Sequence, residues 1–341
     1  MKFILLSGLL AFLVPALAMP SGLEFRGNTI DKRDITAQEF SSLGLFAQYA
    51  AAAQCNYANT AGKSIACGGS ACPLVQASSA KTIRGFTTAV TDTKGYIAVD
   101  STRSLIILSF KGSESIQNWI TNVLFFQISC SFAPGCKVHL GFAAAWEESS
   151  EAVIAGIKAA KAANPSYKLV ITGHSLGGAV GTLAAAYLRQ LGYPADLYTY
   201  GSPRVGNEAF VKFVSEQAGA EYRVTHTDDP VPKLPPLQAN FRHTSPEYWI
   251  TSKNNVVPST TDVSVCTGYG TKDCSESTPG FNTTAHVWYF GPIAGCAGGS
   301  GSSKRSQAVA GDRELLFGRG ARVEERGWEI KLREYLAMDQ D

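Results

Sequence analysis

The sequence predicts an α/β fold, with a mostly parallel central sheet and helices on both faces. Three observations carry that expectation. Short apolar runs alternate with longer helical stretches, the pattern of strand–helix–strand units. At Gly173-His174-Ser175-Leu176-Gly177 a serine flanked by glycines separates one such run from a helix start. Of the 341 residues, 45% are hydrophobic and 17% charged, enough apolar material for a full core and unlike a disordered chain.

The elements follow in chain order. Lys2, the apolar stretch Phe3 to Val14 and the small-x-small triplet Ala16-Leu17-Ala18 read as a signal peptide over residues 1–18, which implies secretion. That stretch is short for a membrane span, and no other segment reaches 18 apolar residues, so no stable membrane anchor is expected. Lys32-Arg33 closes a polar stretch and suggests a processing site. It leaves a propeptide at 19–33 and a mature start near Asp34. The core domain is expected over 34–296. After it, a Gly/Ser-rich run opens a tail at 297–341 with 16 charged residues in 45, against 36 in 263 for 34–296. That is the composition of a linker and appendage, not of a core. Trp328, Leu332, Tyr335 and Leu336 in the tail have helical spacing.

Within the core, strands are expected at 105–110, 167–172, 197–200 and 222–225. Helices are expected at 142–163, where Val153, Ile154 and Ile157 share a face, and at 180–191 and 208–217. Residues 89–98 read as a hairpin around Thr93-Lys94-Gly95. Thirty basic and 28 acidic residues leave a net charge of +2, no footprint for nucleic acid. The eight cysteines form no CxxC pair and no tight Cys/His cluster, so no structural zinc is expected. In a secreted chain they suit disulfides.

The chemistry centres on Ser175. Residues 173–177 match G-x-S-x-G, with an apolar strand before and a helix after, the setting of a strained nucleophile turn. A serine hydroxyl needs a base, and the base an orienting acid. On an α/β-hydrolase sheet the order is serine, acid, histidine. Asp228 and Asp229 follow the strand at 222–225. His243 and His286 both follow them, and His226 precedes them. His286, in a loop before Val287-Trp288-Tyr289-Phe290 near the end of the core, is preferred. The oxyanion would need two N–H groups. Leu176, directly after the serine, offers one, and Gly112-Ser113, after the strand 105–110, the other. Next, Ile116, Trp119, Ile120, Val123 and Leu124 fall on one helical face. That face suits a core helix. Attached to the oxyanion loop, it also suits a lid that opens at an oil surface. A histidine base, ordinarily near pKa 6.5, predicts activity falling below about pH 6.

Together these residues resemble the secreted fungal class 3 lipases of the Thermomyces and Rhizomucor type. The resemblance runs from about Phe46 to Cys296 through FKGSESIQNWI (110–120), TGHSLGGAV (172–180), YGSPRVGN (200–207), VTHTDDPVPKLPP (224–236), SPEYWI (245–250) and AHVWYFG (285–291). It implies the α/β-hydrolase fold and a triad of Ser175, Asp229 and His286, with Asp229 chosen because it directly precedes Pro230-Val231-Pro232. It implies oxyanion donors at Ser113 and Leu176 and a lid at 116–124. It also implies the disulfides Cys55–Cys296, Cys67–Cys72 and Cys130–Cys136. The remaining pair, Cys266–Cys274, looks like one found in related fungal feruloyl esterases. Asn282-Thr283-Thr284 is a glycosylation sequon. The expected function is ester hydrolysis on acylglycerols, tri- or partial, by a secreted monomer at an oil–water interface, without cofactor or metal. A feruloyl esterase is the alternative enzyme, and a non-catalytic binding protein the alternative of another class.

Overall fold

Strand β3 (Leu105–Phe110) is buried along its whole length. Ile106, Leu108 and Phe110 face one apolar core, while Leu105 and Ile107 face another. That is the period-two alternation of a strand covered on both sides, and it explains the unbroken apolar run. A computed structural model describes residues 35–115, 120 and 125–295 of the chain. The proposed signal, propeptide and tail lie outside the described residues. So do Ile116, Trp119, Val123 and Leu124 of the expected lid. Ile120 is described and fully buried.

The main sheet has eight strands. Besides β3 they are β1 (Lys81–Thr87), β2 (Lys94–Asp100), β6 (Lys168–His174), β7 (Ala195–Tyr200), β8 (Glu221–His226), β9 (Glu247–Ile250) and β10 (Val263–Cys266), in the order β1-β2-β3-β6-β7-β8-β9-β10. The five strands from β3 to β9 run parallel. β1, β2 and β10 pair antiparallel at the two edges. A two-stranded ribbon, β4 (Gln127–Ser129) and β5 (Lys137–His139), stands apart.

Helices α3 (Leu140–Ala163), α4 (Leu176–Gln190) and α5 (Glu208–Glu216) cover one face of the sheet, with Trp146, Ile157, Leu183 and Phe210 in its core. Helix α1 (Ala37–Asn56) covers the other, and the short α2 (Pro73–Ala77) adds Val75 there. Thr36 and Glu39 form a reciprocal capping box at the start of α1, which satisfies two backbone donors. Its buried stripe holds Ala47, Ala50, Ala51 and Ala53. These small side chains allow a close approach to the sheet. Tyr200, Thr172 and Tyr96 reach up from the sheet, and their hydroxyls donate to the carbonyls of Leu43, Phe46 and Tyr49 at 2.6, 3.2 and 2.8 Å.

The expected strands and helices are present. The hairpin is displaced from its expected place. Thr87 already pairs with Lys94 and Phe86 with Gly95, so the connection is 88–93. Two physical causes are visible. The Glu148 carboxylate on α3 accepts the N–H groups of Ala89, Val90 and Thr91, each at 2.8 Å, and fixes the turn there. Gly95 serves packing instead, since a Cβ would meet Ser109 O and the Phe86 ring at 2.4 and 2.5 Å. The disulfides Cys67–Cys72, Cys130–Cys136 and Cys266–Cys274 are formed. Cys55 is disulfide-bonded, and its implied partner, Cys296, lies outside the described residues.

A buried ion pair ties α4 to the sheet. Arg189 donates to Glu221 at 2.7 Å and to the carbonyls of Ala195 and Val214, and both side chains are buried. Removing one partner strands a charge in low dielectric. Glu221→Ala is therefore expected to lose about 3–5 kcal/mol of stability, measured as a lower urea midpoint. A midpoint equal to the wild type would contradict that.

Candidate active site

The site is built at the carboxyl ends of the parallel strands, where α/β sheets place their functional loops. β6 ends at His174 and α4 begins at Leu176, so the chain reverses within Ser175. Its backbone has φ 56° and ψ −128°, a conformation that costs a residue with a side chain about 1–3 kcal/mol. Clearance makes it possible. A Cβ at Gly173 would lie 2.3 Å from Gly177 O, and one at Gly177 2.3 Å from Phe110 O. The Ser175 N–H donates to Tyr200 O at 2.9 Å, locking the turn to the end of β7. Leu176 is the first residue of α4, where backbone N–H groups have no intrahelical acceptor. Gly112 lies against the same turn, its Cβ position 2.8 Å from His174 O and 3.4 Å from Ser175 Cβ. Ser113, the expected second oxyanion donor, is the next residue along this loop.

Asp229 stands in the loop after β8 and is fully buried. Three donors converge on its carboxylate. Val231 N–H gives one bond at 2.9 Å, the Tyr289 hydroxyl another at 2.6 Å, and His286 Nδ1 the third at 2.8 Å. A carboxylate so surrounded acts as acceptor, so His286 Nδ1 carries the proton and Nε2 keeps its lone pair. His286 sits on the single 3-10 turn Ala285–Val287. Its ring lies beside Gly201, whose Cβ would come 3.0 Å from His286 Cε1. Gly201 follows Tyr200, the acceptor of the Ser175 N–H. Ser175, Asp229 and His286 therefore meet in one place. Ser175 Oγ and His286 Nε2 are both buried without a hydrogen-bond partner among the described residues, an unpaired donor near an unpaired acceptor.

The other candidates part company here. His243 lies elsewhere, partly buried, with Nε2 2.6 Å from Pro232 O. Burial pushes its imidazole well below the usual range, and Arg223 and Arg204 add to that. It supports the loop after Asp229 and does not touch the serine. Asp228 uses its backbone carbonyl to accept the Asn282 N–H at 3.3 Å. His226 faces Ala285 O and Ser252 O at 3.0 and 2.9 Å and braces the 3-10 turn from below. Asn282, the sequon residue, is partly exposed, and its Oδ1 accepts the Ala285 N–H at 3.1 Å.

Tyr289, Gly201 and His174 belong to the site and were not found by looking for a triad. Tyr289 lies three residues past His286 in a run that reads as apolar. Gly201 has φ +55°. Among the described residues no group of three or more His, Cys, Asp or Glu side chains could hold a metal ion. None of the described helices is long and apolar enough to cross a membrane.

The fold and the glycine-flanked turn are those of an α/β-hydrolase. The model of the family described as Lipase (class 3) matches residues 107–239, and that of the Lipase 3 N-terminal region matches residues 9–83. The chain is 44% identical over 311 residues to secreted mono- and diacylglycerol lipase 1 of Fusarium solani, covering 90% of this chain and 88% of that protein. It is 43% identical to secreted mono- and diacylglycerol lipase A of Penicillium camembertii, with 76% and 88% covered. The crystal structure of the mono- and diacylglycerol lipase from Aspergillus oryzae superposes with a TM-score of 0.73 at 39% identity, over 77% of this chain and 99% of that one. The chain belongs to the class 3 lipase family.

Gly201 offers a sharp test of the site's packing. A Cβ there would lie 2.9 Å from both Asp229 Oδ2 and Tyr289 Oη. Gly201→Ala is expected to shift the Asp229–His286 pair and lower kcat on a soluble ester about 100-fold, with KM little changed. An unaltered kcat would contradict this placement.

Proposed function

We propose that the chain is a secreted lipase that prefers mono- and diacylglycerols. The observation that carries the ester-hydrolase part of this reading is the serine on a strained turn beside a buried Asp229–His286 pair whose Nε2 has no hydrogen-bond partner among the described residues. In the proposed reaction Ser175 Oγ attacks the ester carbonyl while His286 Nε2 takes its proton. The same proton then passes to the departing glycerol oxygen, leaving an acyl-enzyme that water hydrolyses by the same route in reverse. Asp229 orients the imidazole and stabilises its cation. The N–H groups of Ser113 and Leu176 are the proposed oxyanion donors.

Substrate class rests on similarity. The relatives at 43–44% identity are named mono- and diacylglycerol lipases, while the Rhizomucor miehei protein, named simply a lipase, is 39% identical over 219 residues. Two of these relatives are named as secreted, in keeping with a signal peptide at 1–18 and a propeptide at 19–33. The segment 116–124 is the proposed lid, with Ile120 packed inward. A glycan on Asn282 would stand at the rim of the site, four residues from His286. The Cys266–Cys274 bridge favours a second reading, a feruloyl esterase on the same fold.

Two measurements test the proposal. Initial rates on a short-chain diacylglycerol are expected to jump once droplets form, to exceed those on the matching triacylglycerol, and to dwarf turnover of methyl ferulate. Smooth saturation below the solubility limit with brisk ferulate cleavage would favour the esterase. Ser175→Ala is expected to lower kcat by at least ~10⁴-fold. Retained hydrolysis would exclude Ser175 as nucleophile.

A further inference from the structure

The residue between the first glycine and the serine of G-x-S-x-G is formally arbitrary, yet His174 is placed with unusual care. It is the last residue of β6 and is buried. Its Nε2 lies 2.7 Å from the backbone carbonyl of His286. Its ring centroid is 4.4 Å from that of His286 and 6.0 Å from that of Tyr289. The strand neighbour opposite it is Tyr200, whose carbonyl holds the Ser175 N–H. On its other side Gly112 approaches so closely that a Cβ would meet His174 O at 2.8 Å and Nδ1 at 3.4 Å. One residue thus touches the oxyanion loop and the histidine turn while being bonded to the serine.

A carbonyl only accepts, so Nε2 must carry the proton. Burial pushes the His174 imidazole well below its ordinary value, and the neighbouring His286 acts in the same direction. The ring is therefore neutral, with its one N–H committed to His286 O. Among the described residues this is the direct hydrogen bond between the serine turn, 173–177, and the histidine turn, 285–288. The pair that would otherwise link them, Ser175 Oγ and His286 Nε2, is not itself bonded.

We propose that His174 is a positioning residue for the reaction, setting the separation of Ser175 and His286 through its Nε2–H bond to the His286 carbonyl. This rests on the reading of Ser175 and His286 as nucleophile and base. Its physical content is specific. The 3-10 turn carrying His286 follows a loop and is short. The serine turn is rigid, because it ends a central strand. A bond from the strand end to the carbonyl of the short turn fixes the reacting atoms before substrate arrives, and preorganisation of that kind is what an ångström of misplacement destroys. Neutrality matters too. When His286 takes the serine proton it becomes a cation, and a second charged ring at 4.4 Å would oppose that step.

The test uses two substitutions on the mature protein and a soluble short-chain ester. His174→Phe keeps a flat ring and removes the N–H. His174→Gln restores an N–H donor without a titrating ring. The expected result is a fall in kcat of about 10–100-fold for the phenylalanine variant with KM within about twofold, and recovery of most of that loss by glutamine. Thermal melts followed by circular dichroism, read alongside, should show both variants folded at the assay temperature. Equal kcat in all three proteins would overturn the proposal. So would equal losses in both variants, or a loss that tracks unfolded protein. Ser175→Ala, run in parallel, separates the two ideas. If it retains activity, the assignment of the nucleophile fails. If it is inactive and His174→Phe is not impaired, only the role of His174 fails.

Discussion

The backbone of Ser175 is the constraint on which the rest of the site depends. A residue at φ 56° and ψ −128° is held there against an intrinsic preference of about 1–3 kcal/mol, so the surroundings must enforce it. They do so from three directions. β3 supplies Phe110 O beneath Gly177, β7 supplies Tyr200 O to the Ser175 N–H, and α4 takes up the chain at once. The helix can follow the strand so abruptly because Gly173 and Gly177 have no side chains to collide. The hydroxyl is lifted to the carboxyl edge of the sheet as a result of how the sheet is packed.

The second requirement is a buried carboxylate that stays useful. A charge removed from water needs donors, and Asp229 has three, from a backbone N–H, a phenol and an imidazole. Its loop is in turn fixed by a further buried network. Arg204 donates to the carbonyls of Lys233 and Pro235 and to Glu276, and Arg223 pairs with Glu247, which also accepts from Thr225 and Ser275. Such a network is costly if half satisfied and rigid if complete. Here it connects the loop after β8 to Ser275 and Glu276, which follow the Cys266–Cys274 bridge.

Much of this was legible in the residues, and the exceptions have causes. β3 and β6 read as strands because both faces are covered and the apolar run is continuous. α3 and α4 read as helices from length and periodicity. β9 hides because Glu247 is buried in it and looks like a surface residue. α1 hides because its packing face is largely alanine, which carries little hydrophobic contrast. The hairpin was misplaced because the group that fixes its turn, Glu148, lies 57–59 residues away. At the site, spacing left His243 and His286 as rivals. They differ in what their ring nitrogens meet, a backbone carbonyl in one case and a buried carboxylate in the other. The role of His174 is not legible in the motif, which says nothing about what lies 112 residues away in sequence and 2.7 Å away in space.

The central claim is that Ser175, activated by the Asp229–His286 pair, is the nucleophile of an ester hydrolase. The most direct measurement is mass spectrometry of the protein after reaction with diethyl p-nitrophenyl phosphate, which transfers a diethylphosphoryl group to an activated serine. The account predicts one group per molecule, located on the peptide containing Ser175, formed quickly in the wild type and at a small fraction of that rate in His286→Ala. Labelling of another serine, or labelling at an equal rate without His286, would contradict it.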